Sequence, residues 1–307
     1  MASSGLSKHS GFTLVEIAVG LLVLGLAIGM TLKFTRGMQD GQNRQQVRAQ
    51  LDAIDAALAN FVAINKRLPC PANGSLASNA AGVGLELISP GPPPAANPPI
   101  GQCSPTNQIN GVVPWVSIGL SAADVIDPWG GRILYRVDPI LAQAAPLSAM
   151  MNMTNCDPSS TGGTVANACK APVPSCTGNA NCTSPLNYLI GKGLDVWNGI
   201  NGVAGWNLRQ NNRTTGTGAA YVLISQGPTG TAAYNASGIL QPGTMAAGTN
   251  ETPNRNNRAL AIPSALANTY RDAASNDIAG AAHFDDYISH PTILTVINRA
   301  NLGPRAH

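Results

Sequence analysis

The sequence predicts an α+β protein: one long N-terminal helix joined to a globular head that contains a sheet and long, disulfide-stapled loops. Three observations predict it. Between Phe12 and Leu68 there is no proline, and the stretch passes from an uncharged apolar run into a single amphipathic stripe. Short apolar runs separated by Gly, Pro, Asn and Asp follow, the pattern of strands joined by turns. All 6 cysteines lie beyond residue 69 among small polar residues, as expected of disulfides formed in an oxidising compartment.

The helix comes first. GFTLVEIAVGLLVLGLAIGMTL carries no charge from Ile17 to Leu32, and the segment 12–32 matches the roughly 20 residues that cross a bilayer. Lys8 followed by an apolar run also suits a cleaved secretory signal, but the run is long for one and no A-x-A site closes it. Glu16 stands inside the run. A carboxylate in hydrocarbon is costly, so its presence points to a function and a charged partner. Beyond Lys33, Arg36 and Asp40, apolar residues recur at Val47, Leu51, Ile54, Leu58 and Phe61, one helical stripe. The reading is one helix over 12–68, about 80 Å at 1.5 Å per residue, half membrane-embedded and half amphipathic. Pro69 and Pro71 end it. Gly25 and Gly29 form a G-x-x-x-G spacing that allows close helix approach and is also ordinary in membrane segments.

Residues 69–307 form the head. SPGPPPAANPP, within an insertion over 89–110, excludes helix and central strand and reads as surface loop or polyproline II. GVVPWVSIGL and DVIDPWGGRILYRVDP follow, with Arg132 to Val137 alternating as a strand and Trp129 as a packed turn aromatic. A second insertion, 153–185, holds Cys156, Cys169, Cys176 and Cys182. They include no C-x-x-C pair and no neighbouring histidine, so a stapled loop is favoured over zinc. Cys70 follows the helix and Cys103 precedes the Val112 region, so a bridge between them closes the Pro-rich loop; the other four then pair among themselves in one of three ways. Tyr221 to Ser225 reads as a buried strand, followed by a Gly-Pro-Thr-Gly turn. Ile293 to Ala300 is apolar on one side and packs on the head.

Composition and motifs exclude several function classes. Charged residues make up 11% against a usual quarter, the net charge is +3, and the 18 Lys and Arg residues form no basic run, so nucleic acid is not an expected partner. His9, His283, His290 and His307 are the 4 histidines. Ser225, His283 and Asp285 can be drawn as a triad, but Ser225 lies in no Gly-x-Ser-x-Gly elbow and the other two are almost adjacent. No Gly-rich phosphate loop follows a strand. The chain is not expected to be an enzyme.

The Gly11–Phe12 junction, the Thr-Leu-Val-Glu that follows and the apolar continuation resemble the N-terminal signal of type IV prepilins and of the pseudopilins of type II secretion. The resemblance implies a leader 1–11 removed by prepilin peptidase between Gly11 and Phe12, N-methylation of Phe12, and pairing of Glu16 with the Phe12 ammonium of a neighbouring subunit. It implies a type IV pilin-like fold, with the long helix packed on an antiparallel sheet. The expected partners are other pilins or pseudopilins, and the expected location is the bacterial inner membrane with a periplasmic head, then a pilus or pseudopilus. Many major pilins carry proline where this chain has Lys33, and that departure, with the chain's length, points to a minor subunit. RLPCPA, PWVSIGL and DPWGGRILYRV are similar to pseudopilin heads. By the same resemblance the loop near the C-terminus holds calcium, through Asp285 and Asp286 with Glu251 and Asn254; the competing reading is a solvated carboxylate pair capping the terminal helix. A tip adhesin or other binding module, using the two insertions, is the second functional class.

Overall fold

The computed structural model describes residues 14–65, 67–88, 103, 111–137, 193–198, 218–243, 247–256 and 269–301. The leader, Gly11, Phe12, most of the 89–110 insertion, the whole of 153–185 and its four cysteines lie outside the described residues. The chain divides into two compact units, Met1–Gln46 and Val47–His307.

In the first unit the described element is the N-terminal part of α1, a helix of 52 residues from Leu14 to Asn65. Its apolar side chains are exposed all round, among them Leu14, Val19, Leu22, Leu24 and Ile28. Among the described residues, no helix is long and apolar enough to cross a membrane. The expected transmembrane half over 12–32 is therefore not found there; positions 12 and 13 and the side chains of Ala27 and of residues 29–32 lie outside the description.

The second unit opens with the rest of α1. Val47, Leu51, Ile54, Leu58 and Phe61, the expected stripe, are all buried, joined by Val62. Each such aliphatic side chain contributes about 1.5 to 3 kcal/mol when fully buried. The helix ends at Asn65, short of the expected Leu68, where the Asn65 amide donates back to the Phe61 carbonyl (3.1 Å). Leu68 precedes Pro69, and a residue before proline is sterically pushed out of helical backbone.

Five antiparallel strands form the main sheet: β1 (Ala72–Asn73), β2 (Gly111–Val112), β3 (Leu134–Val137), β5 (Tyr221–Ser225) and β7 (Tyr287–Ser289), in spatial order β1-β2-β3-β5-β7. The centre is the β3–β5 pair, in register from Leu134 opposite Ile224 to Val137 opposite Tyr221. The fold is α+β. Every residue of β3 and β5 is buried, because both faces of these strands are covered. The expected alternation over 132–137 fails for that reason: Arg132 and Arg136 point into protein and are 2% exposed. Arg132 lies outside the strand in single bridges to Ile126 and Tyr234. A separate parallel pair, β4 (Asp195–Trp197) with β6 (Thr269–Arg271), has no counterpart in the sequence reading.

Three local features tie the head together. Cys70 and Cys103 form a disulfide, as the loop-closing argument expects. Asp127 shapes the DPWGG turn, its Oδ1 accepting from the Trp129 and Gly131 amides (3.1 and 2.8 Å) while Gly130 takes the left-handed conformation (φ 86°). Trp129 stacks on Tyr287 with ring centroids 5.6 Å apart, the packed role expected of it. A 3-10 turn spans Ala122–Val125. The chain's last described helix, labelled α3 here, spans Ile293–Arg299; its N-cap Thr292 accepts from the Thr295 amide (3.0 Å) and it buries Ile293, Val296 and Ile297.

Candidate functional site

Five polar side chains converge where the segment after β5, the short helix α2 (Glu251–Asn256) and the residues leading into β7 meet. They are Glu251, Asn254, His283, Asp285 and Asp286, all buried, with Glu251 and Asn254 fully so. Burying this many polar groups is costly unless each is hydrogen-bonded.

Backbone donors supply most of the bonds. Thr229, in the Gly-Pro-Thr-Gly turn, gives its amide to Asp285 Oδ2 (2.8 Å) and its hydroxyl to Asp285 Oδ1 (3.1 Å). Glu251 accepts the Gly248 amide at Oε2 (2.9 Å) and the Asp285 amide at Oε1 (2.8 Å). Asp286 Oδ2 accepts from the Asn254 amide nitrogen (2.8 Å). Asn254 also brackets β6, donating to the Arg271 carbonyl (2.9 Å) and accepting its N–H (2.8 Å). Two glycines permit the close approach. A Cβ at Gly227, already at φ 57°, would collide with the Asp285 carbonyl, and one at Gly248 with the His283 carbonyl.

The carboxyls differ in proton affinity. Burial, and then the neighbouring Glu251, push Asp285 up to about 6. Burial also raises Asp286 well above the usual aspartate range. Burial also opposes ionisation of Glu251, yet hydrogen bonds from the Asp285 side chain and from the Gly248 and Asp285 amides hold it below the usual glutamate range. Arg255 Nη2 stands 3.6 Å from Glu251 Oε2.

The sequence named Asp285, Asp286, Glu251 and Asn254 as calcium ligands, and the fold brings all four together. One correction follows from the geometry. The aspartates are not a solvated cap: they are 4% and 8% exposed. The 227–230 turn was expected to offer carbonyls and instead supplies the Thr229 amide and hydroxyl, while sequence reasoning missed His283 as a member. His283 had been considered with Ser225, but the Ser225 hydroxyl donates to Asp127 Oδ2 (2.6 Å) instead. Glu16, the proposed assembly residue, lies in the first turn of α1.

No family model matches the chain, and neither the curated proteins nor the solved structures compared with it contain a similar one.

Proposed function

We propose that the chain is a minor structural subunit of a type IV pilus or type II secretion filament, made as a precursor and processed between Gly11 and Phe12. The observation that carries this reading is the placement of Glu16. It is the single charge in the otherwise apolar stretch from Phe12 to Leu32, and it follows closely on a Gly-Phe junction. The same helix then continues to Asn65, where its amphipathic part lies in the head's core.

The chemistry of the pairing is simple. A carboxylate in an apolar medium is penalised by several kcal/mol, and an ammonium beside it offsets that penalty. A free Phe12 amino terminus on an adjacent subunit supplies the ammonium. Membrane anchoring of the monomer and release of the head to the periplasmic side belong to this proposal, as does assembly with other pilins.

The test is Glu16→Ala. The variant inserts and is processed as the parent is, while its amount in sheared filament fractions falls at least several-fold. Equal incorporation of parent and variant removes the pairing role.

A further inference from the structure

We propose that Glu251, His283 and Asp285 bind one divalent transition cation of the zinc class. One ligand atom from each residue lies within 4.8 Å of the other two, and all three side chains are buried. The donor set is one imidazole nitrogen and two carboxylates, a combination that suits zinc and neighbouring transition ions, with a fourth position left for water or another ligand.

The decisive residue is His283. It is 3% exposed, and its Nδ1 stands 2.9 Å from Glu251 Oε1, close enough for an ion pair, yet among the described residues Nδ1 finds no partner in hydrogen-bond geometry. A buried ring nitrogen close to a carboxylate but outside hydrogen-bond geometry is an unmet polar group, and such groups call for a ligand. A cation between the nitrogen and the oxygens satisfies all three at once. Tetrahedral bonds of about 2.0 to 2.2 Å set two donors on one ion about 3.3 to 3.6 Å apart, so the His283–Glu251 pair opens by about half an ångström and any pair near the 4.8 Å limit closes by about one.

The surroundings are those of oriented metal ligands. Thr229 fixes the Asp285 carboxylate through two hydrogen bonds, and the Gly248 and Asp285 amides fix Glu251 through Oε2 and Oε1, with Oε1 also facing His283. Arg255 approaches the Oε2 side and not the oxygen that faces the histidine. Calcium suits this set less well, because a nitrogen donor replaces one of the oxygens it prefers. The ion would join α2 to the segment that enters β7.

The experiment uses the full-length chain without an affinity tag, purified metal-free in detergent, and titrates it with zinc, cobalt(II) and calcium chlorides. The expected result is one zinc equivalent that is lost in both His283→Ala and Glu251→Gln, with affinity at least about 100-fold weaker, the upper end of what removing even an outer-shell partner does. Cobalt(II) gives visible d–d bands in the parent that are missing from both variants. Zinc, and not calcium, raises the melting temperature of the parent alone. Two variants are used so that misfolding of one, seen as loss of its cooperative melt, leaves the other to decide. The proposal is overturned by zinc binding that both variants retain, by calcium stabilising the parent where zinc does not, or by no cation binding at all. These outcomes leave the filament reading untouched, since that depends on Gly11, Phe12 and Glu16.

Discussion

Asp55 on α1 accepts a hydrogen bond from the Tyr221 hydroxyl on β5 at 2.8 Å, a polar contact that joins the helix to one of the two central strands of the head. The second carboxylate oxygen accepts from Ser289 on β7 (2.7 Å), and Arg299 of α3 stands 3.7 Å away. One carboxyl thus ties together four elements that are distant in sequence. Among the described residues, the buried face of α1 carries no other acidic group, so the contact also fixes the helix's rotation against the sheet.

Asp55 makes the head's stability depend on pH. Burial is the largest influence and raises its pKa, outweighing the hydrogen bonds from Ser289 and Tyr221 and the charge of Arg299, while Asp52 on the same helix adds to the rise. The folded state therefore holds the Asp55 proton more tightly than the unfolded chain. Its stabilising contribution is complete below about pH 4, the value of an unfolded aspartate, and is lost as pH rises through the raised value. Urea midpoints measured from pH 4 to pH 8 should fall with rising pH in the parent and fall less in Asp55→Asn, which keeps an acceptor for Tyr221. Equal slopes contradict the assignment.

Arg132 is the second residue whose loss should be severe. Its guanidinium donates to the carbonyls of Gly74, Leu76 and Ala236 (2.9, 2.6 and 2.8 Å) and to Ser78 Oγ (3.1 Å), and lies 5.2 Å from the Trp115 ring centroid. Replacing it by alanine leaves several carbonyls without their donor, each worth about 1 to 3 kcal/mol where water does not reach. Arg132→Ala should cost about 3 kcal/mol or more in chemical denaturation. Arg132→Lys should recover only part, because an ammonium lacks the planar fork that serves carbonyls on two sides.

The Cys70–Cys103 disulfide closes a loop with a sequence separation of 33. In the chain-entropy account, a loop of that size stabilises by about 3 to 4 kcal/mol. Cys103→Ser should lower stability by that amount, and non-reducing peptide mapping of the parent should recover the two cysteines in one linked pair. Mapping that joins Cys70 to one of Cys156, Cys169, Cys176 or Cys182 contradicts the pairing.

Local pattern was enough for some of this and not for the rest. The stripe from Val47 to Phe61, the Tyr221–Ser225 strand, the Trp129 turn and the terminal helix are each set by neighbours in sequence, and each is where its pattern places it. Arg132 and Arg136 mislead because an arginine in a strand ordinarily marks the solvent face; only the fold reveals the carbonyls that make burial tolerable. The β4–β6 pair joins segments more than seventy positions apart with three residues each, too few for any periodicity. At the candidate site the acidic members are legible as an Asp-Asp pair and a downstream-facing glutamate. His283 becomes a member only because Gly248 lets its carbonyl approach α2, a contact between chain segments that sequence spacing does not encode.

That approach is itself testable. Gly248→Ala places a methyl group against the His283 carbonyl, and Gly227→Ala adds backbone strain at φ 57° to a clash with Asp285. Both should destabilise the head by roughly 1 to 3 kcal/mol. Melting temperatures equal to the parent's would mean the three segments are not packed as described.

The central claim, that this chain is processed as a filament subunit, is tested most directly by the mass of its N-terminal peptide. Protein recovered from a producing cell's membrane and sheared-surface fractions is digested and its first peptide sequenced by mass spectrometry. A filament subunit should yield a mature chain that begins at Phe12 with a methylated amino group. A chain that begins beyond residue 32, or that retains residues 1–11 in the assembled fraction, contradicts it.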